Sequence, residues 1–422
     1  MRKLVTVSGA LAVAIVAAPL SAETLDETIA LAVEHSPALE AARAREDAAD
    51  AAVRQASAER SPSASVQGQL GYGRIDPQGF FGLMADNVTP RVVQVGAEWP
   101  IFTGGRIDAA IDQAQGGAEI ARIGTQAAML DLRLQVIAGY TQALAAKQQV
   151  ASYTAMTGML TEVLRQSHLM FKVGAATSTD VSQAEARLAE AEAGLAGAQG
   201  TLAEAEARLS QLAGRSISVD AELPPPPPVP ASADQAAVLA VADNPQLAQA
   251  RKAAEIAEAG VRAAKAERMP TVAAYAEAST VRDQFFPGYK ADSGSVGVRG
   301  QWKFFTGGRN SAKLDRSEAE ARAASADARL AQQNIEIQAV RAFEQVQAAR
   351  AMLVAAEKRS NATIEALRST RFEVKADAKP QLALLDASRE AIEAETARIS
   401  AAGNLLSAAY LLRSITGMDL SE

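Results

Sequence analysis

One stretch of this chain is written twice. Residues 99–106 read W-P-I-F-T-G-G-R and residues 302–309 read W-K-F-F-T-G-G-R, and they hold the only two tryptophans. Upstream, L-A-V-E-H-S-P-A-L at 31–39 is matched by L-A-V-A-D-N-P-Q-L at 239–247. Self-similarity at a fixed spacing predicts a chain built from two tandem copies of one unit. Any fold for this chain must therefore use one order of elements twice.

The repeat predicts the domain boundaries. The first repeat, 23–215, contains a helix, a β-hairpin at about 62–103 and a long helical hairpin at 106–213. The second repeat, 232–422, contains a helix, a β-hairpin at about 270–305 and a helical hairpin at 309–416. A proline-rich linker, 216–231, lies between them and is expected to be extended polyproline that acts as a semi-rigid spacer.

The first 22 residues have the composition of a secretory signal peptide. Arg2 and Lys3 precede an apolar run, and the small residues Ser21 and Ala22 end it. No other stretch has eighteen uncharged apolar residues, so membrane attachment is expected to come from strands. The absence of cysteine excludes disulfides and a lipid-modified cysteine. The net charge of -7 makes nucleic acid an unsuitable partner.

Long helices are predicted on both sides of each hairpin. A helix restarting at Pro37 or Pro245 is expected to continue to Arg60 or Arg268. The helical region from 106 to about 172 would be roughly 100 Å long. In the helix at 178–213, leucine recurs every seven residues, with alanine at the complementary core positions, which predicts a coiled coil with closely spaced helices. The heptad leucines are Leu188, Leu195, Leu202 and Leu209; in the second copy Arg398 replaces Leu195.

Four segments alternate between apolar and polar residues: 63–72, 93–101, 271–279 and 295–304. The third is the weakest because alanine dominates both of its faces. A soluble half-buried sheet produces the same alternation, but the signal peptide and the tryptophan at the end of two apolar rows favour membrane strands. Four strands cannot close a barrel, so several chains would have to share one.

Together these features resemble the TolC family of trimeric outer-membrane ducts. The resemblance rests on the duplication and on three sequence features. These are the helix entries at Ser36-Pro37 and Asn244-Pro245, the repeated F-T-G-G-R, and F-K-V-G at 171–174 followed by T-D-V at 179–181. The resemblance implies a mixed fold, a membrane β-barrel plus an α-helical coiled-coil barrel, with four strands per protomer closing as a homotrimer. It also implies outer-membrane lipid around the strands, and periplasmic helices that meet an adaptor protein and an inner-membrane pump, proton-driven or of the ABC type.

The resemblance places adaptor docking at the first helical turn, Val173, Gly174 and Ala175. The alternative is that Gly174 only supplies positive φ at a helix end. In the second copy Lys375 stands where glycine is expected. The Phe-x-Val pair also comes two residues early there, which predicts that two residues have moved from the incoming helix into the turn and makes docking at this second turn doubtful.

The resemblance also places the closed periplasmic aperture near L-L-D-A at 384–387. Asp386, together with Asp377, would line it, and threefold symmetry would turn each carboxylate into a ring of three that attracts cations. An ordinary solvated helix face is the alternative.

The tryptophan motifs are interpreted as the joint between a membrane strand and a periplasmic helix. Trp99 and Trp302 would lie in the interfacial girdle. The glycine pairs would permit the backbone to change from extended to helical, at Gly104, Gly105, Gly307 and Gly308.

No constellation indicates an enzyme, a cofactor or a metal. His35 and His168 are the only histidines and lie on separate predicted helices. The leading hypothesis is an exit duct for drugs and small molecules or for type I secreted proteins. The alternative is a soluble periplasmic coiled-coil scaffold or adaptor.

Overall fold

The computed structural model describes residues 24–76, 84–219, 223–376 and 378–418. The signal peptide predicted at 1–22 lies outside them. The first copy contains α1 (Leu25–His35), α2 (Pro37–Ala58), β1 (Ser63–Leu70), β2 (Gly73–Ile75), β3 (Asp86–Val88), β4 (Arg91–Phe102), α3 (Arg106–Lys172) and α4 (Ser178–Ala213). The second contains α5 (Ala233–Asp243), α6 (Pro245–Ala266), β5 (Thr271–Arg282), β6 (Lys290–Gln301), α7 (Arg309–Lys375) and α8 (Gln381–Ile415).

The helices before the strands end two residues earlier than expected. α2 ends at Ala58 and α6 at Ala266, not at Arg60 and Arg268. A proline disfavours helical geometry in the residue before it, and Pro62 and Pro270 follow closely in the sequence. The predicted boundaries of α3 and α4, in contrast, are confirmed.

The prediction that two residues leave the incoming helix of the second copy is wrong. α3 and α7 each have 67 residues. The Phe-x-Val pair has instead moved within the helix, because α7 continues through Val374 to Lys375. In the first copy Gly174, directly after Val173, adopts positive φ and ends α3. In the second copy Lys375 follows Val374, and because lysine has good helix propensity and no preference for positive φ, the helix includes it.

The four-stranded sheet lies in the compact unit whose described residues fall within 37–134, 227–348 and 408–418. Its order is β1-β4-β5-β6 and every pairing is antiparallel. The alanine-rich third segment becomes a full strand of 12 residues, because it pairs on both sides. The bounds of all four strands differ from the predicted segments. β1 stops at Leu70, β4 is longer at both ends and β5 continues to Arg282. β6 runs from Lys290 to Gln301, so Trp302 follows the strand. The short β2–β3 pair was not predicted.

The described residues of the second compact unit lie within 24–36, 135–226 and 349–407, and they form helices and part of the linker. The alanine row of α4 is its buried row: Ala184, Ala191, Ala198 and Ala205 are at most 6% exposed. Small side chains permit close helix approach, as the heptad predicted. A core cluster joins Leu160 and Val163 of α3 to Leu384 and Leu385 of α8.

Candidate functional site

The four-stranded sheet leaves its apolar face exposed. The apolar rows are the exposed ones: Val66 is 72% exposed, Val296 is 83% exposed and Trp99 is 54% exposed. A half-buried soluble sheet instead packs its apolar face against a core. The sheet therefore presents a broad apolar surface with nothing packed on it among the described residues.

Polar side chains occupy the opposite face of the sheet. They line a cavity of about 190 Å³, and its polar residues are Ser63, Ser65, Gln67, Gln94, Glu98, Tyr275 and Glu277. Arg299 donates to Glu277 at 2.9 Å, and its guanidinium lies 4.7 Å from the centre of the Tyr275 ring. Polar side chains that hydrogen-bond one another on one face of a sheet are suited to a wet lumen.

Each tryptophan caps the end of the preceding helical segment in its own repeat. The Trp99 indole N–H donates to the backbone oxygen of Arg60 at 3.0 Å, and that of Trp302 donates to the backbone oxygen of Arg268 at 3.1 Å. Carbonyls just beyond a helix end lack an intrahelical donor. The indole supplies one, while its ring stays in the exposed apolar row.

The residues next to these carbonyls tie the same joint to the following long helix. In the first copy Arg60 pairs with Asp108, and Arg106 pairs with Glu59 at 3.1 Å. In the second copy Arg268 donates to the hydroxyl of Ser311 at 3.1 Å. Since Ser311 follows Asp108 by the 203 residues that separate the tryptophans, both joints have the same design.

The glycine pairs have the backbone conformation that the joint requires. Gly104 and Gly105 have φ of 63° and 87°, and Gly307 and Gly308 have φ of 59° and 87°. Two consecutive residues in this region are accessible to glycine at little cost. They redirect the chain from the strand region into α3 and α7.

The first helical turn, Val173, Gly174 and Ala175, closes α3 with a Schellman motif. The Ala175 N–H donates to the Met170 oxygen at 2.8 Å, and the Gly174 N–H to the Phe171 oxygen at 3.1 Å. Gly174 has φ of 76°, which is why glycine is needed here. The turn leaves an exposed apolar tip, with Val173 76% exposed and Phe171 49% exposed.

The next helix begins with a capping box that fixes the other side of this turn. The Thr177 side chain accepts from the Asp180 N–H, and the Asp180 carboxylate accepts from the Thr177 N–H at 2.8 Å. This backbone donor, with the Thr177 hydroxyl, lowers the pKa of Asp180. The apolar tip is therefore held by a rigid backbone on both sides.

At the second helical turn the structure pairs a predicted aperture residue with an arginine. Asp386 of α8 lies 3.4 Å from Arg187 of α4 and is half-exposed. Gln381 donates to the Val163 oxygen of α3 at 3.3 Å. These contacts join the start of α8 to the first helical hairpin. Asp377, the other predicted aperture residue, lies outside the described residues.

The two histidines have separate surroundings. His35 Nδ1 lies 3.0 Å from the Leu31 oxygen within its own helix, whereas His168 lies 3.8 Å from Glu185. Across the described ranges, no three His, Cys, Asp or Glu side chains gather as they would around a metal ion. None of the helices in these ranges combines the length and the apolar character needed to cross a membrane.

Comparison with known proteins identifies the family to which this chain belongs. The outer membrane efflux protein family matches residues 28–215 and 236–418, which together cover most of the chain. The chain belongs to the outer membrane efflux protein family. The resemblance to TolC-family channels is thereby confirmed.

Two curated relatives of this efflux family chain align over part of their length. The outer membrane efflux protein BepC of Brucella suis is 26% identical over 289 residues, which are 67% of this chain and 62% of BepC. The protein CyaE of Bordetella pertussis is 30% identical over 268 residues, which are 60% of this chain and 55% of CyaE. The chain thus aligns with less than two thirds of either relative.

Solved structures show the same fold at low sequence identity. The outer membrane protein VceC of Vibrio cholerae superposes with a TM-score of 0.81 at 20% identity, covering 93% of this chain and 96% of VceC. The open state of the MtrE channel of Neisseria gonorrhoeae superposes with a TM-score of 0.77 at 21% identity, covering 93% of this chain and 89% of MtrE. This efflux family chain therefore has the TolC-like fold.

Sequence reasoning did not foresee how the tryptophans are used. It placed them at a membrane interface but assigned no partner to the indole nitrogen. A signal was present in the sequence: A-E-R at 58–60 recurs at 266–268, just before each β-hairpin. A repeated charged tripeptide at a helix end is a candidate partner for a repeated donor at the end of a strand.

Proposed function

We propose that this chain forms a homotrimeric exit duct in the outer membrane. The observation that carries the proposal is the two-faced sheet, which leaves its apolar rows exposed and gathers its polar side chains on the opposite face. A lipid-facing strand needs apolar side chains outward, and a water-filled lumen needs polar side chains inward. Family membership supports the same location.

The number of strands supports a trimer. Among the described residues, β1 and β6 each pair on one side only and are the two edges of the four-stranded sheet. An unpaired edge is not tolerated in lipid, so each β6 would pair with β1 of a neighbouring chain. Three chains with four strands each would close a barrel of about twelve strands, within the size range of membrane barrels.

The first helical turn is proposed as the docking site of a periplasmic adaptor. Its exposed apolar tip and its fixed backbone offer a preformed surface, which reduces the ordering cost of binding. The adaptor would connect the duct to an inner-membrane pump, proton-driven or of the ABC type, which supplies the energy. The cargo is either drugs and small molecules or type I secreted proteins.

The closed aperture is proposed to lie at the start of α8. Asp386 would contribute to it, with Asp377 added on the strength of the family resemblance. The ion pair between Asp386 and Arg187 supports a role in closure, since it ties α8 to α4 beside the second turn. Opening would then require this contact to break.

The test is fractionation followed by conductance measurement. We expect the protein in the outer-membrane fraction, released only by detergent as a trimer, with cation-preferring conductance in a planar bilayer. A freely soluble protein without conductance would reject the duct and favour the soluble periplasmic scaffold or adaptor.

A further inference from the structure

A row of basic side chains spans three of the four strands, at the end of the sheet far from the tryptophans. Arg91 of β4 is directly opposite Arg282 of β5, and Arg282 is directly opposite Lys290 of β6. Directly opposite residues of an antiparallel pair share one face of the sheet. This face is the exposed apolar one, since Arg91 has the same alternation as Val93, Val95 and Trp99.

The row is an electrostatic anomaly within the chain. Like charges placed directly opposite each other destabilise a sheet. Asp292 relieves only part of this repulsion, through two hydrogen bonds from Arg282 at 2.9 and 3.2 Å. Among the described residues Arg91 and Lys290 form no ion pair, and the sequence of 77–83 contains no carboxylate. The row therefore keeps two positive charges without protein partners in the part of the chain that the structure describes.

The position of the row matches a membrane boundary. Eight residues of β4 separate Arg91 from Trp99, which is about 27 Å at roughly 3.4 Å per residue. With a strand tilt of about 40°, the row lies roughly 20 Å from the tryptophans along the barrel axis, close to the height of the apolar band of a membrane barrel, about 25 Å. Since the tryptophans mark the periplasmic side, the row reaches the outer leaflet.

A second feature of the same edge is an aromatic cluster in the loop between β5 and β6. The Tyr289 ring packs edge-on against Phe285 at 5.0 Å and Phe286 at 5.3 Å. Phe285, three residues after Arg282 in the sequence, remains 55% exposed. Exposed aromatic rings next to cationic side chains are typical of the level of lipid headgroups.

We propose that Arg91, Arg282 and Lys290 form a binding site for the phosphate groups of an outer-leaflet glycolipid. This inference rests on the proposed outer-membrane location. Arginine and lysine are the usual phosphate-binding side chains. A phosphorylated headgroup would place its anions over the row and its acyl chains along the apolar rows below it. The bound lipid would also neutralise the repulsion within the row.

The test measures lipid A binding to the detergent-purified trimer by native mass spectrometry. Arg91→Gln combined with Lys290→Gln should weaken binding of bisphosphorylated lipid A roughly thirtyfold, because the double variant loses the attraction of two cations for the anionic headgroup. Arg299→Gln is the matched control, because it removes one cation from β6 on the opposite face and should leave binding unchanged. Arg91→Lys combined with Lys290→Arg should retain binding.

Three results would overturn the site. They are equal lipid A affinity in the double variant and the wild type, equal binding of fully dephosphorylated lipid A, and full competition by inorganic phosphate at the same phosphate concentration. The last two would assign binding to the apolar rows alone or to free anions. Failure to isolate an outer-membrane trimer would contradict the proposed function itself, whereas a conducting trimer with unaltered lipid binding contradicts only this site.

Discussion

The indole nitrogen of Trp99 and the backbone oxygen of Arg60 are 3.0 Å apart, and Trp302 makes the equivalent bond to Arg268. Each tryptophan therefore fastens the end of a strand to the end of the helical segment that precedes its β-hairpin. The ring is an interfacial side chain, and the N–H is a helix cap.

Trp99→Phe removes this donor and keeps an aromatic ring in the apolar row. We expect the free energy of unfolding to fall by about 1 kcal/mol, the usual net value of one hydrogen bond, and Trp302→Phe to have the same effect. The measurement is the midpoint of thermal unfolding of the purified trimer. If neither variant shifts the midpoint, the cap contributes nothing to stability.

Moving the indole inward, by Ala97→Trp with Trp99→Ala, should impair assembly more than Trp99→Tyr.

Gly174→Ala tests the Schellman turn. Alanine at φ of 76° should cost about 1–2 kcal/mol, because its Cβ crowds the following carbonyl. Gly158→Ala is the matched control, since Gly158 is inside α3 with open space where the alanine methyl group would lie, and it should stabilise the helix by roughly 0.5–1 kcal/mol. Thermal unfolding of both variants distinguishes backbone strain from a general effect of alanine; equal shifts would contradict the turn geometry.

Val173→Asp tests adaptor docking separately from folding. A carboxylate at the exposed tip should leave the trimer assembled in the outer membrane but reduce pump-dependent export at least about tenfold, since burying an unpaired charge at an interface is costly. Met352→Asp is the control, because Met352 is an exposed apolar residue of α7 away from either turn. Export that falls equally in both variants would argue against a specific docking site.

Asp386→Ala and Arg187→Ala test the proposed aperture. Each should raise the conductance of the isolated channel. The double variant should add little, because both substitutions break the same contact between α4 and α8. Arg389→Ala breaks a pair with Glu393 inside α8 and should leave conductance unchanged. Planar-bilayer recordings give the readout. Conductance and cation block that stay at wild-type values in Asp386→Ala would reject its place in the aperture.

The network of Ser360, Glu395 and Arg398 predicts a pH dependence. A hydrogen bond from Arg398, and a weaker effect of one from Ser360, lower the pKa of Glu395. The charged carboxylate is therefore more favourable in the native state than in the unfolded chain. This stability is present above the ordinary glutamate pKa of ~4.3 and is lost as the pH falls through the lowered value. Thermal unfolding between about pH 6 and about pH 3 should therefore be less pH-dependent in Glu395→Gln, while Glu390→Gln, at an exposed position of α8, behaves like wild type.

The sequence predicted the periodic elements well because their signals are local and redundant. α3 begins after a glycine pair and ends before Gly174, and the alanine row of α4 recurs every seven residues. The exposure of the apolar sheet rows was expected from Trp99 and Trp302. In each case one residue pattern is sufficient to specify the geometry.

The errors arose where the structure of a segment depends on residues that are distant in the sequence. β5 has a weak pattern of its own but is extended by β4 and β6 on either side. β6 has one neighbour, and its pairing ends at Gln301 opposite the first residue of β5, so Trp302 lies beyond the strand. The pair of Arg187 and Asp386, 199 residues apart, has no local signature at all.

The equal lengths of α3 and α7, 67 residues each, imply that insertions and deletions in the two copies are coupled. Each residue turns an α-helix by about 100° and advances it by about 1.5 Å. Deleting one residue from α3 alone would change the azimuth of the Val173 tip, while the second copy kept its phase. Length changes that survive selection should therefore occur in both helices together, or in multiples of about seven residues that preserve the buried face.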